Sequence, residues 1–571
     1  MSTSYPARIP ASAFTNPRRR KPSLKNFSPI PPLKPPRSAY SNVDDIYIPR
    51  PPTFMSIAYL RDAISAIEVK MTALAKERTE LETKLETAVR LQSPILRLPS
   101  ELLSSIFTIG VLGMGEEDPI MVPTLMLVCR YWAEVALNTP ILWAKISISP
   151  HDSLDKARRR LMRSKSCPLD ITVNFGPRID YVQSITEQIT HAMDLFRPAL
   201  WRTKSFSLTV PNRPQAYTAL LHCQEDAPML ESLTIQVYHS MQEDRYSNPP
   251  LIVFNGCTPN LRSCSLTSFN FGWDLKLMTG LRVLKLGGYF NSSTPSASTL
   301  IGILRQCPEL EEVSLRNMSD VDSNPCSPAV PHDPDVPIAN RIHLPRLKKM
   351  SFYYAGITHT QKIMAQISFP NLESLELAYL ENVSPLLQLL YAQALTRLPL
   401  KFLRIETCLF NEVQFVNLLR KLHSLVTLQL VDIEHISYHS LNALSSSQPW
   451  ACPRLEYVML DGCTSVDWDS LRAFVESRLP ADPHAYKRYH SSVASIMSSA
   501  SVAAAQHARL KSRQDRSGHA ALVTRPQRIR MIDVTRCNQI GREMVQWLRM
   551  YVASVKCEPA KGVWGEPMVL S

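Results

Sequence analysis

The chain has 571 residues, 45% of them hydrophobic, enough for two or more domains with sizeable cores. Its net charge of +13 invites a nucleic-acid reading. Residues 1–52, however, hold nine Lys or Arg against two Asp, so over half of the surplus sits in one segment.

That segment also carries twelve prolines, including PIPPLKPPR, and residues 1–55 are expected to be a disordered basic tail. Its PRRRKP run, Arg18 to Lys21, reads either as a nuclear-import signal or as a solvating run. No apolar stretch follows a basic start, which argues against a secretory signal. No stretch around the first apolar motif is long enough to span a bilayer. A soluble chain, cytoplasmic and/or nuclear and without membrane contact, is expected.

Residues 56–92 predict one long helix. Ile57, Leu60, Ile64, Ile67, Met71, Leu74, Leu81, Leu85 and Ala88 form a heptad seam interrupted by Arg78. In a parallel self-pair the flanking contacts would be Ala63–Glu68, Lys70–Ala75, Glu77–Glu82 and Lys84–Val89. None attracts and one repels, so a homodimer is not favoured and the helix is expected to pack within its own chain.

Pro94 closes that helix, and LRLPSELLSSIF (96–107) follows. Pro at a helix's first turn sacrifices no hydrogen bond and presets φ, and Glu101 suits the helix dipole. Leu102, Leu103, Ile106 and Phe107 cover more than one face of a short helix, so some of them must meet another surface. Downstream stands LMLVCRYW (125–132), then Leu142-Trp143.

From residue 230 one six-residue word recurs, apolar-x-x-apolar-x-apolar. The copies are LESLTI (230), LRSCSL (261), LRVLKL (281), LEEVSL (310), LKKMSF (347), LESLEL (372), LKFLRI (400), LVTLQL (425), LEYVML (455) and IRMIDV (529). Starts lie 20 to 37 residues apart, except for one gap of 74. Insertions are expected at 319–342, rich in Pro and Asp, and at 480–527, rich in Ser and Ala. TKSFSLTV (203–210) and PLDITV (168–173) extend the pattern upstream, so 146–229 reads as a junction with degenerate first repeats.

In each word the third and fifth residues point away from the apolar set. The charged ones, Lys285, Glu312, Lys349, Glu376, Arg404 and Asp533, are three positive and three negative. A groove tracking phosphates is one-signed, so nucleic acid is disfavoured. Phe402, Arg404, Tyr457 and Met459 on this face suit a protein ligand and are the candidate target-binding residues.

The twelve cysteines contain no C-x-x-C pair and are expected as small, reduced apolar groups. HISYH places His435 and His439 four apart but lacks the Glu of a metalloprotease helix, and no metal or cofactor is expected. No phosphate loop, RING-like spacing or nucleophile–base motif appears, so the chain is expected to be no enzyme.

The recurring words, three of them continuing to Cys408, Cys463 and Cys537, resemble irregular, cysteine-containing leucine-rich repeats. Residues 93–145 resemble the F-box, through Leu98, Pro99, Glu101, Leu102, Leu103, Ile106 and Phe107, then Leu125, Leu127, Val128, Cys129, Arg130 and Trp132. A heptad helix, an F-box and such repeats together look like the large fungal F-box families. The fold this implies is α/β: a long helix, a small all-α F-box, then a horseshoe-shaped solenoid over 230–571. The resemblance implies a substrate receptor of a Skp–cullin–F-box ubiquitin ligase. Leu98, Pro99, Glu101, Leu102, Ile106, Phe107, Leu125, Val128, Cys129 and Trp132 would meet the Skp-type adaptor and through it a cullin, and the solenoid would hold a target protein. Trp132 and Trp143 would also lock the F-box to its own core. A scaffold without a ubiquitination role and a basic nuclear nucleic-acid-binding protein are the alternatives.

Overall fold

A computed structural model describes residues 56–92, 94–113, 120–176, 182–238, 251–273, 276–290, 294–320, 341–394, 398–434, 436–446, 450–479 and 526–558. The basic tail and all but the borders of the two expected insertions lie outside these residues, as does His435. The chain divides into two compact units, Met1–Arg97 and Leu98–Ser571.

The first unit contains α1 (Ile57–Gln92), a single helix of 36 residues. Its apolar seam is solvent-exposed, from 46% at Leu60 to 72% at Ile57. Arg78, the seam's charged position, donates from Nε to Glu82 one turn on at 2.8 Å.

The second unit opens with three helices, α2 (Ser100–Leu112), α3 (Met121–Val128) and α4 (Arg130–Leu137). They enclose a small core of their own, built on Leu103, Phe107, Val111, Val122, Val135 and Leu142. Cys129 separates α3 from α4 because its backbone is extended, with φ −163° and ψ 168°.

Then a parallel sheet begins. Its strands are β1 (Lys145–Ile148), β2 (Leu169–Asn174), β3 (Thr203–Val210), β4 (Ser232–Val237), β5 (Ser263–Thr267), β6 (Val283–Tyr289) and β7 (Glu312–Met318). A two-residue strand β8 (Ile342–His343) precedes β9 (Lys349–Tyr353), and its mate β10 (Ile367–Ser368) precedes β11 (Ser374–Ala378). The sheet continues through β12 (Phe402–Glu406), β13 (Thr427–Val431), β14 (Tyr457–Asp461), β15 (Met531–Asp533) and β16 (Ser554–Lys556). Fourteen strands, all but the small pair β8 and β10, lie side by side in chain order. Each turn of chain therefore stacks on the one before it, a solenoid-like arrangement.

All ten sequence words become strands, and each strand starts at the word's third residue. The word's first, fourth and sixth residues are buried, as with Leu400, Leu403 and Ile405 at 0% exposure. One continuous core runs from Ala144 to Val552 between the sheet and the connecting helices. Six words are entered by the same turn: the amide of the first residue donates three places back, with Pro second in the turn, as in CPEL, LPRL, FPNL and CPRL. Proline presets φ there and forfeits no sheet hydrogen bond.

The words also end alike. Their eighth residue is left-handed in nine successive copies: Ser268, Gly288, Asn317, Tyr354, Tyr379, Thr407, Asp432, Gly462 and Arg536, with φ between 47° and 72°. Side-chain-bearing residues pay about 1–2 kcal/mol for that conformation. It aims the amide at the next turn: Tyr379 donates to Glu406, Thr407 to Val431 and Asp432 to Asp461, at 2.8–2.9 Å. In these three turns the parallel ladder thus gains one bond beyond the strand.

Cys408, Cys463 and Cys537 sit beneath these turns, each Sγ reaching the last apolar residue of the preceding word: Leu377, Leu430 and Leu460. Burial pushes their thiols up to about 11, 11 and 12, so they stay protonated and inert.

Two buried arginines close helix ends in the same manner. Arg202 donates to the Ser164 hydroxyl and to the Leu161 and Cys167 carbonyls at the end of α5 (Leu154–Arg163). Arg478 donates to Leu444, Ala451 and Cys452 after α12 (Tyr438–Ser445). Each covers one carbonyl of a helix's last turn, Leu161 or Leu444, together with carbonyls of the loop that follows. Among the described residues, no helix is long and apolar enough to cross a membrane.

Candidate protein-interaction surfaces

Helix α2 carries two apolar stripes. Leu103, Phe107 and Val111, four residues apart, face the small core and are at most 2% exposed. Leu102, Ile106 and Ile109 form the second stripe and are 54%, 51% and 71% exposed. Pro99 stands at the N-cap with φ −53°, and Glu101 lies in the first turn. In α3, Leu127 and Val128 are also exposed, as is Ile120 just before it. These six large apolar side chains, exposed in so small a unit, mark a candidate docking surface.

Hydrogen bonds tie α4 and the turn that follows it to α2 and the segment before it. The Tyr131 hydroxyl donates to the Leu98 carbonyl at 2.9 Å, and the Thr139 hydroxyl to Ser104 at 2.9 Å. Trp143 donates from Nε1 to the Ala136 carbonyl at 2.9 Å, and the Arg163 guanidinium covers its ring at 4.5 Å. The Trp132 ring lies 5.0 Å from that of Phe107.

The ten residues expected to meet a partner therefore divide. Pro99, Glu101, Leu102, Ile106 and Val128 are exposed, and Leu98, Cys129 and Trp132 are half-buried. Phe107 and Leu125 are a correction: at 2% and 8% exposure they support the surface from behind and do not present themselves. Ile109, Leu112 and Ile120 are exposed apolar residues that the motif did not single out. The i, i+4, i+7 spacing from Leu102 was the signal for Ile109.

The sheet face away from the helices is the second surface. Phe402, Arg404, Tyr457 and Met459 are all half-buried on it. Arg404 is engaged: it pairs with Glu406 at 2.7 Å and donates to Gln429 at 2.8 Å. Of the six charges expected to be presented, Lys285 pairs with Glu312 at 2.9 Å, and Glu376 accepts from the Ser351 hydroxyl. Asp533 is a correction. It is 5% exposed and accepts from the amide and hydroxyl of Thr535, so its charge serves its own turn.

A groove of about 490 Å³ opens on this face where Gly287 and Gly288 interrupt the row of side chains. Lys285, Glu312, Arg316, Lys349, Ser351 and Glu376 line it. Gly288 is required there, because a Cβ would strike the Ser268 hydroxyl and its φ is +72°.

Beside the groove stands an aromatic cluster. Tyr354 and Tyr379, the left-handed residues of adjacent turns, stack at 4.5 Å and 12°, and Tyr353 meets both edge-on. The Tyr379 hydroxyl donates to Glu406 at 3.1 Å, and this bond to the carboxylate pushes the tyrosine's pKa up. Sequence reading missed these tyrosines. Their signal was an aromatic at the same place, just beyond the strand, in two consecutive words.

Farther along, Arg536 bridges Asp461 at 2.7 Å and Asp432 at 2.8 Å, tying three successive turns together. His439 is exposed on α12. Among the described residues, no group of three His, Cys, Asp or Glu is placed to hold a metal ion.

No curated protein matches the chain. A solved yeast structure, the complex of Rad7 and Elc1, is similar at 14% identity with a TM-score of 0.31, over 88% of this chain and 98% of that one. Residues 95–149, spanning α2 to α4 and the start of the sheet, match the family model described as F-box-like.

Proposed function

We propose that this protein is a non-catalytic substrate receptor of a Skp–cullin–F-box ubiquitin ligase. The observation that carries the reading is the two-striped helix within the F-box-like segment. One stripe builds a core, and the other leaves Leu102, Ile106 and Ile109 half or more exposed. A Skp-type adaptor is the partner that an F-box implies, and Leu98, Pro99, Leu127 and Val128 would extend the contact.

The strand words and their cysteines support an irregular leucine-rich-repeat solenoid, curved as a horseshoe. Its open face, with the groove over Gly287–Gly288, the tyrosine cluster, Phe402, Arg404, Tyr457 and Met459, would hold a target protein. Mixed, largely paired charges and aromatics suit a protein ligand. The chain would do no chemistry. Holding a target lysine close to an activated ubiquitin thioester raises its effective concentration, and that proximity is the whole contribution.

The test is affinity purification of the full chain and of a Leu98→Ala/Pro99→Ala variant, with both partner sets identified by mass spectrometry. Adaptor and cullin should accompany the wild type and be lost from the variant, while solenoid-bound partners remain. Retrieval of the adaptor without a cullin would favour a scaffold outside the ligase. Absence of both from the wild type would defeat the reading.

A further inference from the structure

We infer that α1 pairs with the α1 of a second copy, antiparallel, in one register. A helix of 36 residues carries an apolar seam that is 46–72% exposed. Parallel pairing is unattractive, as its flanking contacts show. Antiparallel pairing brings different residues together, because each seam position then faces its counterpart from the other end and the flanking positions meet their own kind.

The register that sets Met71 against the partner's Leu74 pairs the whole seam. It places Arg61 beside the partner's Glu82 and Lys70 beside the partner's Glu77. Two-fold symmetry repeats each contact, giving four attractive pairs and no repulsive one. Sliding by one heptad in one direction sets Glu68 against Glu68 and Lys70 against Lys70. Sliding in the other sets Glu68 against Glu82, Lys70 against Lys84 and Glu77 against Glu77. Of these three registers only the first satisfies the charges, and slides of two heptads leave part of the seam unpaired, so charge and seam length together select it.

Arg78, the one charged seam position, fits this pairing. Its guanidinium is already drawn off the seam to Glu82 of its own helix. Its aliphatic stem is left to cover the partner's Ile67. In this pair the C-terminal ends of the two helices lie on the order of 60 Å apart. The rest of each chain would continue from opposite ends, giving a bivalent receptor.

The experiment is sedimentation equilibrium of the full-length protein at micromolar concentration and physiological salt. A dimer is expected. Lys70→Glu and Glu77→Lys should each weaken it roughly tenfold, since each turns two attractive pairs repulsive. The double swap K70E/E77K should restore it. Helical content by circular dichroism shows that each variant still folds. A parallel dimer behaves otherwise: Lys70→Glu does nothing, and Glu77→Lys strengthens association by facing Glu82. That pattern, or a wild type that stays monomeric at 100-fold higher concentration, overturns the proposal.

Discussion

Ile106 and Phe107 are neighbours in sequence with opposite placements, and exchanging their expected consequences tests the docking surface directly. Ile106 is 51% exposed, so Ile106→Asp should alter folding stability by no more than about 1 kcal/mol. In the adaptor complex the same change removes about 1 kcal/mol of additional burial and sets an unpaired carboxylate in an apolar contact. The sum is at least about 3 kcal/mol, a loss of affinity of more than 100-fold. Phe107 is 2% exposed and packs against Trp132, so Phe107→Ala should cost about 3–5 kcal/mol and melt the helical core without touching the solenoid core. Calorimetric titration of the full chain with a Skp-type adaptor reads affinity, and differential scanning calorimetry reads the two cores separately. If Phe107→Ala melts normally and loses only binding, or Ile106→Asp binds as tightly as wild type, the assignment of the two stripes is wrong.

Two further outcomes concern the solenoid. Arg478→Met should destabilise it by about 3 kcal/mol in urea unfolding, because three buried carbonyls, Leu444, Ala451 and Cys452, lose their donor; an unchanged midpoint would mean the arginine is dispensable. Glu412, in the first turn of α11 (Glu412–Leu419), accepts from the amides and hydroxyls of Ser437 and Ser440 at the start of α12. Burial pushes its carboxyl up, but the hydrogen bonds from Ser440 and Ser437 outweigh that and hold it below the usual carboxylate range. Its contribution is therefore fully present above the ordinary carboxylate pKa and is lost as pH falls through the lowered folded value. Glu412→Gln should be about 1–2 kcal/mol less stable than wild type at pH 7, and the gap should close in acid, as measured by urea midpoints at descending pH. A gap that stays constant with pH would show that the charge is irrelevant.

Much of the solenoid was legible without coordinates. A strand alternates its side chains strictly, so a word with fixed apolar places announces both the strand and its phase, and each of the ten word strands begins where that phase puts it. Proline stands two residues before six of the words, a turn signal equally visible in the sequence. The final strand β16 was not foreseen, because Ser554–Lys556 is three residues long with a single apolar side chain.

The helical unit was legible only as a motif. Helix α2 is apolar around most of its circumference, so its periodicity could not separate the stripe that faces inward from the stripe that faces out. Packing against α4 and the 3-10 turn at Pro140–Trp143 made that choice, sending Phe107 in and leaving Ile106 out. The left-handed turns were hidden for a related reason. Glycine announces such a turn, but Tyr354, Tyr379 and Thr407 do not, and what holds them there is a hydrogen bond from the backbone amide to a carbonyl of the neighbouring turn, which exists only once the turns stack. Pattern local to the chain thus determined where strands and helices lie, while every decision that depended on a neighbour in space, which face is covered and which residue is strained, belonged to the tertiary structure.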